Sequence, residues 1–273
     1  MNATNSIYFR NADASELYFC HEGRAQLESP FGVLDVTSGD YVVVPKGVTY
    51  RWKTKNCYLL RIENFSSSYK KPETGILGQQ ALYHEEGICA PQFKGVKGER
   101  TSKIRVQKDL RVSEITYKFD IRDLSGWMGT LYPYVLPVKN IAPILSSVAH
   151  LPPSVNATFV SPQFIVCTFL PRPLEEPKGA LKVPFYHSNI DYDEVILYHE
   201  GDFFSRDNMG KGSITLHPRG VNHGPHPNAL ANQNSKTRTD EIAVMVDTVK
   251  TLKVSRYARG LEVSDYWKSW AQK

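Results

Sequence analysis

The sequence predicts an all-β protein made from two copies of one sheet-built domain. Two observations carry this. Short segments rich in Val, Ile, Tyr and Phe, among them ELYFCHEG, YVVVP, CYLLRIEN, QFIVCTFL and EVILYHEG, recur between Gly, Pro and Asp/Asn clusters, which is the pattern of strands closed by turns. Helical periodicity is hard to find outside the C-terminal YARGLEVSDYWKSWAQK, so a short C-terminal helix is the helical element expected. Leu17, Phe19 and His21 alternate with Tyr18 and Cys20, as in a strand with one buried face. Prolines crowd into loops such as LPPS and PRPLEEP, where a fixed φ suits turns between strands. A sandwich or barrel is the expected architecture.

The duplication is read from two blocks. The segment from Asn11 to Gly23, with Asp13, Glu16, His21 and Glu22, lines up with that from Asn189 to Gly201, with Asp191, Glu194, His199 and Glu200. Positions 11 and 189, 16 and 194, and 23 and 201 all differ by the same 178 residues. A second block follows in both halves: Gly39, Pro45, Gly47, Val48 and Tyr50 pair with Gly212, Pro218, Gly220, Val221 and His223. So large an offset signals domain duplication and not a solenoid of short repeats.

Composition narrows the function classes. The net charge is +5, and Lys and Arg are scattered except for small clusters such as Lys94, Lys97, Arg100, Lys103 and Arg105. With no basic helix or aromatic-interleaved Arg stripe, nucleic-acid binding has little support, while a mild basic excess can steer an anionic small substrate inward. No apolar run approaches the about 18 residues a membrane span needs, and MNATNSIYFRNADAS has no basic start followed by an apolar stretch, so a cytoplasmic protein is expected. Cys20, Cys57, Cys89 and Cys167 form no CxxC pair and read as buried small hydrophobes, not as a metal site or a disulfide framework.

The two copies differ where chemistry is expected. Glu16 and Glu194 match. His187 stands where the first copy has Phe9, and His223 stands where it has Tyr50. Two imidazoles and one carboxylate suit Fe(II), Zn or Ni, and a 2-His-1-carboxylate set with open positions is the arrangement of non-haem Fe(II) oxygenases. His187, Glu194 and His223 are therefore the expected metal ligands. His21 and His199 occur in both copies regardless of metal and read as packed or surface residues, and His84 as a loop residue. His150 and His217 lack ligand spacing; either can move a proton near neutral pH. The six-residue spacing of His217 and His223 across a turn leaves open that they separate to opposite faces.

Each copy contains E-x6-G followed by G-x5-P-x-G-x2 and then His or Tyr. This resembles the two signature blocks of the cupin superfamily, and twofold occurrence implies a bicupin: two jelly-roll domains (double-stranded β-helices). The expected division is a partial N-terminal cupin over 1–70 without a metal site, a connecting segment over 71–110, and a C-terminal cupin over 111–273 carrying the site. The resemblance then becomes closer. GWMGTLYPYVLPVKNIAPILSSVAHLPPS (126–154), FYHSNIDYDEVILYHEG and LHPRGVNHGPH resemble, in order, the central segment, the His…Glu block and the His-Gly-Pro block of homogentisate 1,2-dioxygenases. GILGQQALYHEEGICAPQF is similar to that family's inter-domain connection. The resemblance implies Fe(II) on His187, Glu194 and His223, His150 as the general base, and His217 as a second active-site histidine that meets substrate. It also implies cleavage of the ring of homogentisate or a related dihydroxyphenyl acid by O2 to a maleyl keto acid, and a homo-oligomer, trimeric or hexameric.

The chain departs from the family pattern at three points. The spacing from His187 to Glu194 is one residue longer, which leaves Asp193 as a competing carboxylate. Phe203, or Asp202 in another register, stands where the family has a substrate-binding Tyr. Members carry a longer segment before Asn11, so the first jelly roll is expected to lack strands and to expose an edge unless another chain covers it. Two alternative functions stay open: a cupin isomerase or hydrolase using another divalent metal, and a catalytically silent metal-binding cupin.

Overall fold

The computed structural model describes the chain outside residues 1–2, 5–6, 73–82, 84, 94–97, 99, 124–130, 149, 181, 183–184 and 272–273. His84, Lys94, Lys97 and the GWMG stretch at 126–129 lie outside the described residues. The chain divides into two units, Met1–Lys71 with Tyr83–Ile141, and Pro72–Leu82 with Ala142–Lys273. Each is mostly β.

Unit 1 contains β1 (Ala3–Thr4), β2 (Tyr8–Asn11), β3 (Ser15–Ser29), β4 (Gly32–Thr37), β5 (Asp40–Val44), β6 (Thr49–Asn64), β7 (Ser102–Lys108), β8 (Arg111–Tyr117) and β9 (Tyr134–Pro137). They form one sheet of order β8-β7-β2-β6-β3-β5-β9, with β1 on β6 and β4 on β3. Unit 2 contains β10 (Ala157–Val160), β11 (Phe164–Phe169), β12 (Arg172–Pro173), β13 (Asp193–Glu200), β14 (Ile214–His217), β15 (Arg238–Thr239) and β16 (Ile242–Thr248). Its main sheet runs β10-β11-β16-β13-β14. The trio β6-β3-β5 thus reappears as β16-β13-β14. Among the described residues helix is confined to α1 (Pro227–Asn232), α2 (Arg256–Arg259) and short 3-10 turns. The C-terminal helix expected from periodicity is a single turn followed by a 3-10 segment at Tyr266–Ala271, and α1 had no periodic signature.

The division differs from the one expected at 70 and 110. Residues 102–137 belong to unit 1 because β7 pairs in parallel with β2, β8 pairs with β7, and β9 pairs with β5. Parallel pairing needs a long crossover that leaves no local mark in the sequence. The one-buried-face reading of Leu17–His21 also gives way: Ser15 to Cys20 are all buried, on both faces of β3. Cys20, Cys57 and Cys167 are buried as expected, whereas Cys89 is exposed.

The duplicated blocks fold alike, hydrogen bond for hydrogen bond. Gly39 N–H donates to Cys20 O and Gly212 N–H to Tyr198 O, both at 2.8 Å. Gly47 N–H donates to Asn11 O at 2.8 Å and Gly220 N–H to Asn189 O at 2.7 Å. The glycines closing E-x6-G have φ of +91° at Gly23 and +93° at Gly201. A Cβ there would stand 2.3 Å from Asn56 O or 2.4 Å from Asp240 O, so both the left-handed backbone and the close approach of the facing strand require glycine. One difference follows the second block. β6 runs unbroken from Thr49 to Asn64, whereas its unit 2 counterpart is interrupted between His223 and Ile242 by α1 and a 3-10 turn.

Candidate metal centre

Register sets which unit 2 side chains share a face. Directly opposed residues of antiparallel strands lie on one side of the sheet. The rows are Ile165–Asp247–Glu194–His217, then Cys167–Met245–Ile196–Thr215, then Phe169–Ala243–Tyr198. The second and third rows are predominantly apolar and pack with Ala157, Val160 and Phe203 into one cluster. The first row, apart from Ile165, is polar. The interior therefore grades from a dry floor to a charged rim, and Glu194 stands on the rim.

His187 and His223 come to Glu194 as a backbone-bonded pair. His187 N–H donates to His223 O at 2.9 Å and His223 N–H to His187 O at 2.8 Å, which puts their rings 4.4 Å apart. One donor atom from each of His187, Glu194 and His223 lies within 4.8 Å of the others. The rings are oriented for coordination. His187 Nδ1 is 2.7 Å from Phe185 O and His223 Nδ1 is 2.9 Å from Val221 O; a carbonyl can only accept, so each Nδ1 carries the proton and each Nε2 presents a lone pair. His223 Nε2 is buried without a hydrogen-bond partner and stands 4.0 Å from Glu194 Oε1. Burial holds the His223 pKa below the usual imidazole range, which keeps the ring neutral. An orphaned lone pair facing a buried carboxylate is the signature of a cation site.

His217 and His223 do not separate across the turn. His217 stacks on the His223 ring at 4.6 Å, and its Nδ1–H donates to Glu194 Oε1 at 2.5 Å. Burial works to raise the Glu194 pKa, but the His217 hydrogen bond and the electrostatic influence of the neighbouring His217, His223 and Arg206 side chains outweigh it and hold the carboxyl below its ordinary value. Asp193, the competing carboxylate, is turned away. Its Oδ1 accepts from Arg219 N–H at 2.9 Å and its Oδ2 from Leu252 N–H at 2.6 Å, a structural role on the opposite face of β13.

His150 is held from behind: its Nδ1 lies 3.3 Å from the buried Glu175 carboxylate. Burial lowers its pKa, with Glu175 opposing and Arg172 and His187 adding to the shift. The result is a neutral imidazole within electrostatic reach of His187, with Nε2 as its basic atom. Phe203, expected to meet substrate, belongs to the floor. It is buried in the apolar cluster with its ring 5.0 Å from Tyr198. Asp202 ion-pairs with Lys236 at 2.8 Å. The sequence reading missed Glu175, Arg206 and Asp247. Arg206 Nε donates to Tyr198 Oη at 2.9 Å and its Nη1 to Gly224 O at 2.6 Å, bracing the floor beneath the rim.

Unit 1 has the same cage with other contents. Phe9 pairs with Tyr50 as His187 does with His223, and Glu16 is 1% exposed. Tyr50 Oη donates to Glu16 Oε2 at 2.7 Å and Tyr18 Oη to Oε1 at 3.2 Å. Arg61 ion-pairs with Glu16, its guanidinium 5.4 Å from the Phe9 ring centroid. In this unit the place of a cation is taken by an arginine.

Comparison with known proteins follows the geometry. The sequence model described as homogentisate 1,2-dioxygenase N-terminal matches residues 1–137. A Saccharolobus solfataricus protein named "Putative dioxygenase SSO1533" is 37% identical over 97% of this chain and 70% of its own length. Homogentisate 1,2-dioxygenases of Nitrobacter hamburgensis and Dictyostelium discoideum are 24% and 23% identical over 96% of this chain, which spans 62% and 64% of their lengths. Among solved structures, a cupin 2 conserved barrel domain protein from Leptotrichia buccalis aligns with TM-score 0.41 and 9% identity over 92% of this chain and 80% of that chain. A bacterial pirin from Escherichia coli aligns with TM-score 0.38 and 9% identity over 88% and 74%. Likeness of that size does not bear on the site. The sequence matches do, and they place this chain in the homogentisate 1,2-dioxygenase family.

Proposed function

We propose that the chain is an Fe(II)-dependent ring-cleaving dioxygenase on a bicupin frame, acting on homogentisate or a related dihydroxyphenyl acid. The observation that carries this reading is the pair of Nε2 lone pairs from His187 and His223 turned on the Glu194 carboxylate. His187, Glu194 and His223 would hold Fe(II), which when bound would supply the redox chemistry that O2 activation needs.

The chain's own groups divide the remaining work. His150, with its Nδ1 on Glu175, would take the proton of the incoming hydroxyl at Nε2. His217 would meet a substrate hydroxyl through Nε2, because its Nδ1 is committed to Glu194. The apolar rows beneath the rim would pack against the ring and exclude water. Support for the reaction comes from family membership and for the metal from the donor set.

The test is oxygen uptake by protein reconstituted anaerobically with Fe(II). One iron per chain and O2 consumption on adding homogentisate are expected, and Zn(II) should bind without supporting turnover because it is redox-inert. Iron binding with no O2 consumption on any hydroquinone acid would sink the proposal.

A further inference from the structure

In each unit two carboxylates stand side by side next to the cage. In unit 1 they are Glu16 and Glu63, register partners on β3 and β6. In unit 2 they are Glu194 and Asp247, register partners on β13 and β16. Unit 1 answers both with one cation of its own. Arg61 Nη2 ion-pairs with Glu16 Oε1 and lies 2.8 Å from Glu63 Oε1. Arg61 stands opposite Tyr18, and the corresponding position in unit 2, opposite Ile196, is Met245.

Among the described residues no cation answers Asp247. Its Oδ1 is buried and accepts no hydrogen bond. A buried carboxylate oxygen beside another carboxylate, with no hydrogen-bond donor, costs stability. The duplicated register shows what offsets that cost in unit 1: a positive charge between the two. Asp247 lies outside the ligand set of His187, Glu194 and His223, so it does not compete for a coordination position.

We propose that Asp247 is a positioning residue of the metal centre, supplying with Glu194 the pair of negative charges that a bound divalent cation neutralises, as Arg61 neutralises Glu16 and Glu63 in unit 1. This rests on the metal reading of the triad. It adds that two carboxylates, one ligating and one not, match the charge of a divalent ion, and that Met245 keeps the place of the arginine vacant.

Co(II) serves as the probe, its affinity measured by chelator competition and the metal-free melting temperature recorded alongside. Asp247→Asn should weaken Co(II) binding on the order of 10–100-fold, the range for supporting groups around a metal, while the metal-free protein melts no lower than wild type. Met245→Arg should abolish Co(II) binding by supplying the cation from within. Wild-type affinity in Asp247→Asn would overturn the proposal, as would a loss of affinity matched by a lower metal-free melting temperature, the mark of a merely structural role. Wild-type affinity in a folded Met245→Arg would overturn it too; if that variant does not fold, Asp247→Asn decides. His223→Ala separates the two readings. If it loses Co(II) and Asp247→Asn does not, the triad stands and this proposal falls; if wild type takes up no Co(II), both fall.

Discussion

In unit 1 the Glu16 carboxylate is enclosed by Tyr18, Tyr50 and Arg61, with every partner supplied by the chain. In unit 2 the matching Glu194 has, among the described residues, a single hydrogen-bond donor, His217, and faces a neutral imidazole whose Nε2 has no partner among them. The backbone is common to both: the same strand trio, the same bonded pair at 9/50 and 187/223, the same left-handed glycines. A buried carboxylate in such a cage needs a cation. One copy builds it from arginine and becomes a closed structural element, while on the proposed reading the other leaves it to be bound. Side chains at five positions, Phe9/His187, Tyr18/Ile196, Val44/His217, Tyr50/His223 and Arg61/Met245, separate a core from a site.

The comparison can be sharpened by substitution. His150, on its Glu175 support, belongs to unit 2. His150→Ala should leave metal uptake intact and lower turnover on the order of 10²–10⁴-fold, the range for a general acid–base group; steady-state kinetics beside metal analysis would show it, and equal loss of metal would remove His150 from the proton-transfer role. Glu28 probes unit 1's habit of answering carboxylates from within. Burial would raise its pKa, but Arg51 and Lys53 more than offset that and hold it below the ordinary glutamate value. Its folded pKa is thus depressed, so its contribution is present above the unfolded value of about 4.3 and is lost as pH falls through the folded one. Glu28→Gln should cost about 3 kcal/mol at neutral pH and flatten the acid limb of a melting-temperature profile. An unchanged profile would mean the network contributes nothing. The smallest effect is expected at His217, which orients a ligand without joining the triad: His217→Phe should weaken metal binding about 10–100-fold, and full wild-type affinity would show that Glu194 needs no support.

Much of this was legible in the sequence because duplication gave each position a counterpart. His187 and His223 stand out as site residues because the first copy has Phe9 and Tyr50 at the matching places, while Glu194, matched by Glu16 without the histidines, is the least secure of the three; the glycines of both blocks mark real backbone constraints. Asp193 against Glu194 was not decidable from spacing, since neighbours on a strand point to opposite faces and only the pairing with β14 and β16 fixes which face is inside. Asp247 was hidden for another reason. The interruption of the strand after His223 changes the offset between the copies, from 173 at Tyr50/His223 to 184 at Glu63/Asp247, so motif alignment stops before reaching it. The convergence of His217 on His223 depends on how the chain turns through Pro218 and Gly220. The placement of 102–137 with unit 1 depends on parallel pairing, and neither leaves a local pattern.

The central claim is that only the second copy takes a metal. The direct measurement is the metal content of wild type against a variant carrying His187→Phe and His223→Tyr, which gives unit 2 the residues of unit 1 at both places. One divalent ion per chain in wild type and none in the variant is the expected result. Metal retained by the variant, or two ions per wild-type chain, would contradict it.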